Sequence, residues 1–129
     1  MSLFANTEIP FLEKMLDVLA VRHRVIAGNV ANAQTPGYRS KEVNFQEVLD
    51  KMLKIKENTV DPEDYEDQLK QIEPEVYQLS EADLLPGEND VDLEKEMVKL
   101  AENTLLYKVY AKLTAKKLEE LNIAIKERV

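Results

Sequence analysis

LEKEMVKLAENTLLYKVYAKLTAKKLEELNIAIK, residues 93–126, decides the fold class. Within it Leu93, Met97, Leu100, Thr104, Tyr107, Ala111, Thr114, Leu118, Leu121 and Ile125 recur in steps of four and three, the period of a helix that packs along another helix. No Gly or Pro interrupts the run. Asp92 or Asp90 can cap its start, and Lys126 with Arg128 suit the negative end of the helix dipole. A helix of this length with so narrow a stripe cannot bury itself, so it needs a second helix of the chain, a neighbouring molecule, or both. Thr and Ala on the seam imply close, modest packing.

The partner within the chain lies at the other end. Leu12, Leu16, Leu19, His23, Ile26, Val30 and Ala33 keep the same rhythm, predicting a helix over about residues 10–33. Thr35-Pro36-Gly37 stops it: Pro36 presets φ at the second position of a type II turn and Gly37 supplies the positive φ of the third. After the turn at 34–38, Asn44 with Glu47 reads as a capping box opening a short helix near 44–56, with Phe45, Val48, Leu49, Met52 and Ile55 as its apolar face. Residues 57–87 hold Pro62, Pro74 and Pro86 among many carboxylates, so a loose acidic stretch with at most short helical or extended pieces is expected there, ending in a turn at Pro86-Gly87. The expectation is therefore an all-α, elongated chain. Residues 1–41 and 89–129 form a helical core of coiled-coil character, and 42–88 lie outside it.

Charge supports this division. The 129-residue chain has a formal net charge of −8, made of +2 over residues 1–41, −11 over 42–90 and +1 over 91–129. The two ends can pack, whereas the middle repels itself and stays solvated. So acidic a chain is a poor partner for nucleic acid, whose binding rests on Lys and Arg displacing counterions. Glu8, Glu13 and Asp17 interrupt every apolar run near the N-terminus, which argues against a cleavable signal and against membrane insertion.

Residues able to carry chemistry are few. The chain has no cysteine and one histidine, His23. Ala20 stands three before it, where a helical di-iron site would need Glu. The serines Ser2, Ser40 and Ser80 occupy no nucleophile context, and the three glycines form no phosphate loop. No catalytic, cofactor or metal site is expected, and the chain reads as a binding protein rather than an enzyme. Lys108, Lys112 and Lys116, with Lys117 beside, form a basic stripe. It is either a solvated face or the counterpart of Glu63, Asp64, Glu66 and Asp67 on another copy, setting register without driving assembly.

Gly28-Asn29-Val30-Ala31-Asn32-Ala33-Gln34-Thr35-Pro36-Gly37-Tyr38 is more specific. Asn29 and Asn32 share one side of the helix end, able to cap carbonyls or to bond across to a partner helix. Gly28 costs about 1 kcal/mol inside a helix, which suits close approach by another backbone. The stretch resembles the signature of the flagellar rod and hook family of axial proteins, in which an Asn-x-x-Asn helix end runs into Thr-Pro-Gly-Tyr. Within that family the short length, Val43-Asn44-Phe45, and Asn89-Asp90-Val91-Asp92-Leu93-Glu94-Lys95-Glu96-Met97 look like its proximal rod branch. The resemblance covers residues 12–56 and 89–126.

It implies a structural subunit of the basal-body rod. The assembly motif would be Asn29, Asn32, Thr35, Pro36, Gly37 and Tyr38, and the paired seams Leu12, Leu16, Leu19, Ile26 and Val30 with Leu93, Met97, Leu100, Tyr107, Leu118, Leu121 and Ile125. The implied partners are other rod proteins, the MS ring protein, the rod-base adaptor protein and copies of itself. Export would use the flagellar type III apparatus without a cleaved signal, with the region around Phe11 and Leu12 as candidate export signal, and the final location would be the periplasm-spanning rod. Rival readings are another rod protein of the family and a soluble helical adaptor or export chaperone, the last predicting a stable monomer or closed dimer.

Overall fold

The fold is seen in a computed structural model that describes residues 5–79 and 88–127. Its elements run α1 (Ala5–Ala31), β1 (Lys41–Val43), α2 (Phe45–Asn58), α3 (Pro62–Lys70), β2 (Val76–Gln78) and α4 (Leu93–Glu127). The expected turn at Pro86-Gly87 and the last-turn Arg128 lie outside the described residues.

α1 begins earlier than the apolar rhythm implied and runs through Pro10, which has no N–H to give the turn before it. At its other end the Thr35–Tyr38 turn has the expected form, with Gly37 at φ 76° and the Tyr38 N–H bonded to the Thr35 carbonyl at 3.2 Å. α4 is capped by Asp92, whose Oδ1 accepts from the Lys95 N–H at 3.2 Å. α1 and α4 pack antiparallel: Asn29 meets Glu96, the Leu19 carbonyl meets Asn103, and Glu8 meets Lys117.

Over its described residues up to 79, the middle is folded rather than loose. Asp61 caps α3 through the Glu63 N–H at 3.1 Å, and Pro62 takes its first helical position. Tyr65, Leu69 and Ile72, at steps of four and three, then reach the core. There they pack with Val48 and Met52 of α2 and with Met15 and Val18 of α1, while the carboxylates between them face water. Each fully buried apolar side chain contributes about 1.5–3 kcal/mol, so much of the cohesion lies between α1 and the middle. β1 and β2 pair antiparallel, with Glu42 opposite Tyr77, and bring the chain back beside the end of α1.

Asn44 stands at the α2 N-cap but makes no side-chain bond to the helix backbone. Its Oδ1 accepts instead from the Glu75 N–H at 2.7 Å, and its Nδ2 donates to Glu47 at 3.3 Å. The incoming β2 strand competes for the cap and takes it.

The expected seams divide. On α1, Leu12, Leu19 and Ile26 are buried and Leu16 and Val30 half-buried, with His23 exposed. On α4, Leu100 and Leu121 are half-buried, but Leu93, Met97, Tyr107, Leu118 and Ile125 are 42% to 55% exposed. Glu96, Asn103 and Lys117, each one position before an expected seam residue, make the polar contacts to α1 instead. At those positions one residue is a rotation of about 100°, while Thr114, an expected seam residue, is buried in place. The rotation follows from hydrogen bonding: Asn103 is wholly buried, and its Nδ2 donates to the Leu19 carbonyl at 3.0 Å.

Candidate functional site

The Asn29–Tyr38 segment sits where α1, β1 and α4 converge, and Asn29, fully buried, is its centre. Its Nδ2 donates to the Lys41 carbonyl at 2.8 Å and to Glu96 Oε2 at 2.9 Å. Its Oδ1 accepts from the Tyr38 hydroxyl at 2.9 Å and the Lys41 N–H at 3.0 Å. Both amide protons and both lone-pair positions are thereby used. One side chain ties the helix end to the turn, the strand and the last helix.

Glu96 is 2% exposed, and its charge is balanced by Lys99 at 3.2 Å, which also reaches Glu42 at 3.5 Å. Glu42 accepts in turn from the Tyr77 hydroxyl at 3.3 Å, so the network spans both strands and α4. Burial, with the negative charges of Glu96 and Asp90 nearby, raises the Tyr38 pKa above its usual value, which keeps the hydroxyl a donor to Asn29.

Asn32 is half-buried and bonds locally, its Nδ2 to the Gly28 carbonyl at 2.8 Å and its Oδ1 from the Thr35 hydroxyl at 3.1 Å. Residues 88–90 then strap the turn. Asn89 Nδ2 donates to the carbonyls of Asn32 and Thr35, both at 2.6 Å, and the Gly37 N–H donates to the Glu88 carbonyl at 2.7 Å. The Ser40 N–H bonds to Asp90 Oδ1. Pro36 is exposed and sits at the second position of the turn. Gly28 meets no foreign backbone among the described residues: a Cβ there would lie 3.9 Å from the Tyr38 hydroxyl, an ordinary contact.

Further along α1, Arg22 links three elements. Its guanidinium lies 5.1 Å over the Phe45 ring and 3.4 Å from Asn103 Oδ1. At the far end Lys117 pairs with Glu8 at 3.0 Å and with Glu120 at 3.4 Å, Glu8 being the main cause of its raised pKa.

The structure thus brings Asn29, Asn32, Thr35, Gly37 and Tyr38 together and adds Lys99 and Asn103, to which the sequence gives no role, with Asn89, Asp90 and Glu96, which it offers only within the resemblance and, for Asp90, as a possible cap of the last helix. Asn103 carried one usable signal, since Asn is a weak helix former placed mid-helix. The arrangement is cohesive, holding helices and strands at a set angle. Among the described residues no helix is long and apolar enough to cross a membrane.

No family model matches the chain. It is similar to the flagellar basal body rod protein FlgB of Bacillus subtilis, 33% identical over 113 residues covering 83% of each chain. FlgB of Escherichia coli is 28% identical over 122 residues, covering 81% of this chain and 82% of the relative. FlgB of Aquifex aeolicus is 28% identical over 129 residues, covering 99% and 98%.

Proposed function

The chain belongs to the family of flagellar basal body rod proteins FlgB, and from that premise we propose that the outer flank of α4 is what neighbouring subunits cover in the rod. It is a structural subunit of the flagellar basal body rod and associates with other rod proteins. The joint around Asn29 sets the angle between α1 and α4, and that fixed pair is the unit that packs into the rod.

The observation that carries this reading is the apolar exposure left on α4 after α1 has packed. Met97, Leu105, Leu118 and Ile123 remain 47% to 64% exposed. Covering such residues contributes up to about 1.5–3 kcal/mol each, a strong reason to associate. The contacts are with copies of itself and with adjoining rod proteins. The subunit takes a proximal place, between the MS ring protein with its rod-base adaptor and the rest of the rod. It reaches the periplasm-spanning rod through the type III export apparatus, and it catalyses no reaction.

Leu105→Glu with Leu118→Glu tests the reading. Both residues are surface positions in the isolated chain, so its melting temperature should move by no more than about 3 °C. Swimming should be abolished. Normal motility of the double variant would refute the role of this flank.

A further inference from the structure

A groove of about 630 Å³ lies between α1 and α4, lined by Ala20, Val21, Thr104 and Tyr107 with Arg24 and Lys108 at its rim. It exists because α4 meets α1 through Asn103, which turns Thr104 and Tyr107 aside. On the opposite side of α1, Met15 and Val18 hold α2 and α3. The corner joining those two helices carries Val60, which at 91% is the most exposed large apolar residue among those described.

That corner is stapled rather than loose. The Thr59 hydroxyl oxygen accepts from Gln68 Nε2 at 3.2 Å, and Asp61 caps α3 from the residue after Val60. Val60 is therefore a preorganised apolar knob, with Asp61, Glu63 and Asp64 around it and no cation paired to any of them among the described residues. The rim of the groove is the complement. Arg24, Lys108 and, one turn on, Lys112 are exposed and unpaired among the described residues, set against the single carboxylate of Asp17.

We infer that each copy of this chain seats its Val60 corner in the α1–α4 groove of the next copy, with the acidic start of α3 against Arg24, Lys108 and Lys112. This deepens the rod reading and rests on it. The apolar knob supplies attraction, and the charges, each weak alone, select the register. Because knob and groove lie on opposite sides of α1, the contact is heterologous: it joins head to tail and leaves both ends open, as an axial polymer requires.

The chain has no cysteine, so an engineered pair reports this contact without background. Val60→Cys with Thr104→Cys, supplied as the only copy and oxidised in purified basal bodies, should give a ladder of dimer, trimer and higher species. The ladder should exceed that of either single variant at least tenfold, since a disulfide forms only where Cα atoms approach within about 7 Å. Val60→Cys with Val109→Cys, on the other flank of α4, should give none. Basal bodies that contain the chain but yield no ladder, or yield it equally with Val109→Cys, overturn the contact and leave the rod reading intact. Absence of the unsubstituted chain from basal bodies overturns both. If the paired-cysteine chain fails to incorporate, charge exchange decides: Lys108→Glu should lower incorporation at least tenfold and Asp64→Lys in the same chain should restore it. Failure to restore overturns the contact.

Discussion

Asn29→Ala removes one buried side chain and leaves four groups without it: the Lys41 N–H, the Lys41 carbonyl, the Tyr38 hydroxyl and the Glu96 carboxylate. The hydroxyl is half-buried and can turn to water. The two backbone groups lose about 1 kcal/mol each, and the bond to the buried carboxylate about 1.5–3 kcal/mol, with Lys99 limiting the loss. The expected destabilisation is about 3–5 kcal/mol. For a chain of 129 residues the unfolding entropy is about 270 cal/mol/K, so the melting temperature should fall by about 10–18 °C. Asn32→Ala is the comparison, because its bonds are local and partly solvated; its cost should be about 1 kcal/mol or less. Circular-dichroism melts of both variants decide the matter. A fall of under 3 °C for Asn29→Ala, or equal effects of the two, would mean that water already serves these groups and that the joint does not hold the helices. A double-mutant cycle with Glu96→Gln should return a coupling of about 1.5 kcal/mol or more.

The Tyr65 hydroxyl is buried without a hydrogen-bond partner among the described residues, and desolvation pushes its pKa up to about 12. Tyr65→Phe should therefore be neutral or stabilising by about 1 kcal/mol at pH 8 in urea titrations, and a loss of more than that would reveal a partner. Because the folded pKa lies above the ordinary value of 10.0, the stabilisation is complete below pH 10 and fades as pH rises toward 12; melts at pH 8 and 11 should show Tyr65→Phe escaping that loss. Gly37 has φ +76° with nothing among the described residues within 4 Å of an added Cβ, so Gly37→Ala should cost about 1 kcal/mol and Gly37→Val more, through backbone strain. A neutral Gly37→Ala in the same titrations would contradict the turn assignment. Gly28→Ala should stabilise the isolated chain by about 1 kcal/mol, and destabilisation would mean that the space beside Tyr38 is tighter than it looks.

The two long helices and the turn between α1 and β1 were readable because each rests on local rules: apolar period, Pro at one turn position, Gly at the next. The rotation of α4 was not. Leu, Val, Ile, Met and Tyr occur on nearly every side of that helix, so a four-three stripe can be drawn along more than one line. The line used within the chain is fixed by Glu96, Asn103 and Lys117, polar residues to which a hydrophobic period gives no weight. α3 was obscured in the opposite way, its acids drawing the eye from Tyr65, Leu69 and Ile72. At the joint, Asn29 and Tyr38 were legible as a motif, whereas Glu96 and Asn89 act across 67 and 57 residues of chain, beyond any local pattern.

The most direct test of the central claim is quantitative mass spectrometry of basal bodies purified from a strain whose only copy of this chain carries an epitope tag. The account predicts the tagged chain in the rod fraction, retained when the surrounding membrane is stripped away, and lost from that fraction in the Leu105→Glu, Leu118→Glu variant. Tagged chain found only outside basal bodies, in a strain that swims normally, would contradict it.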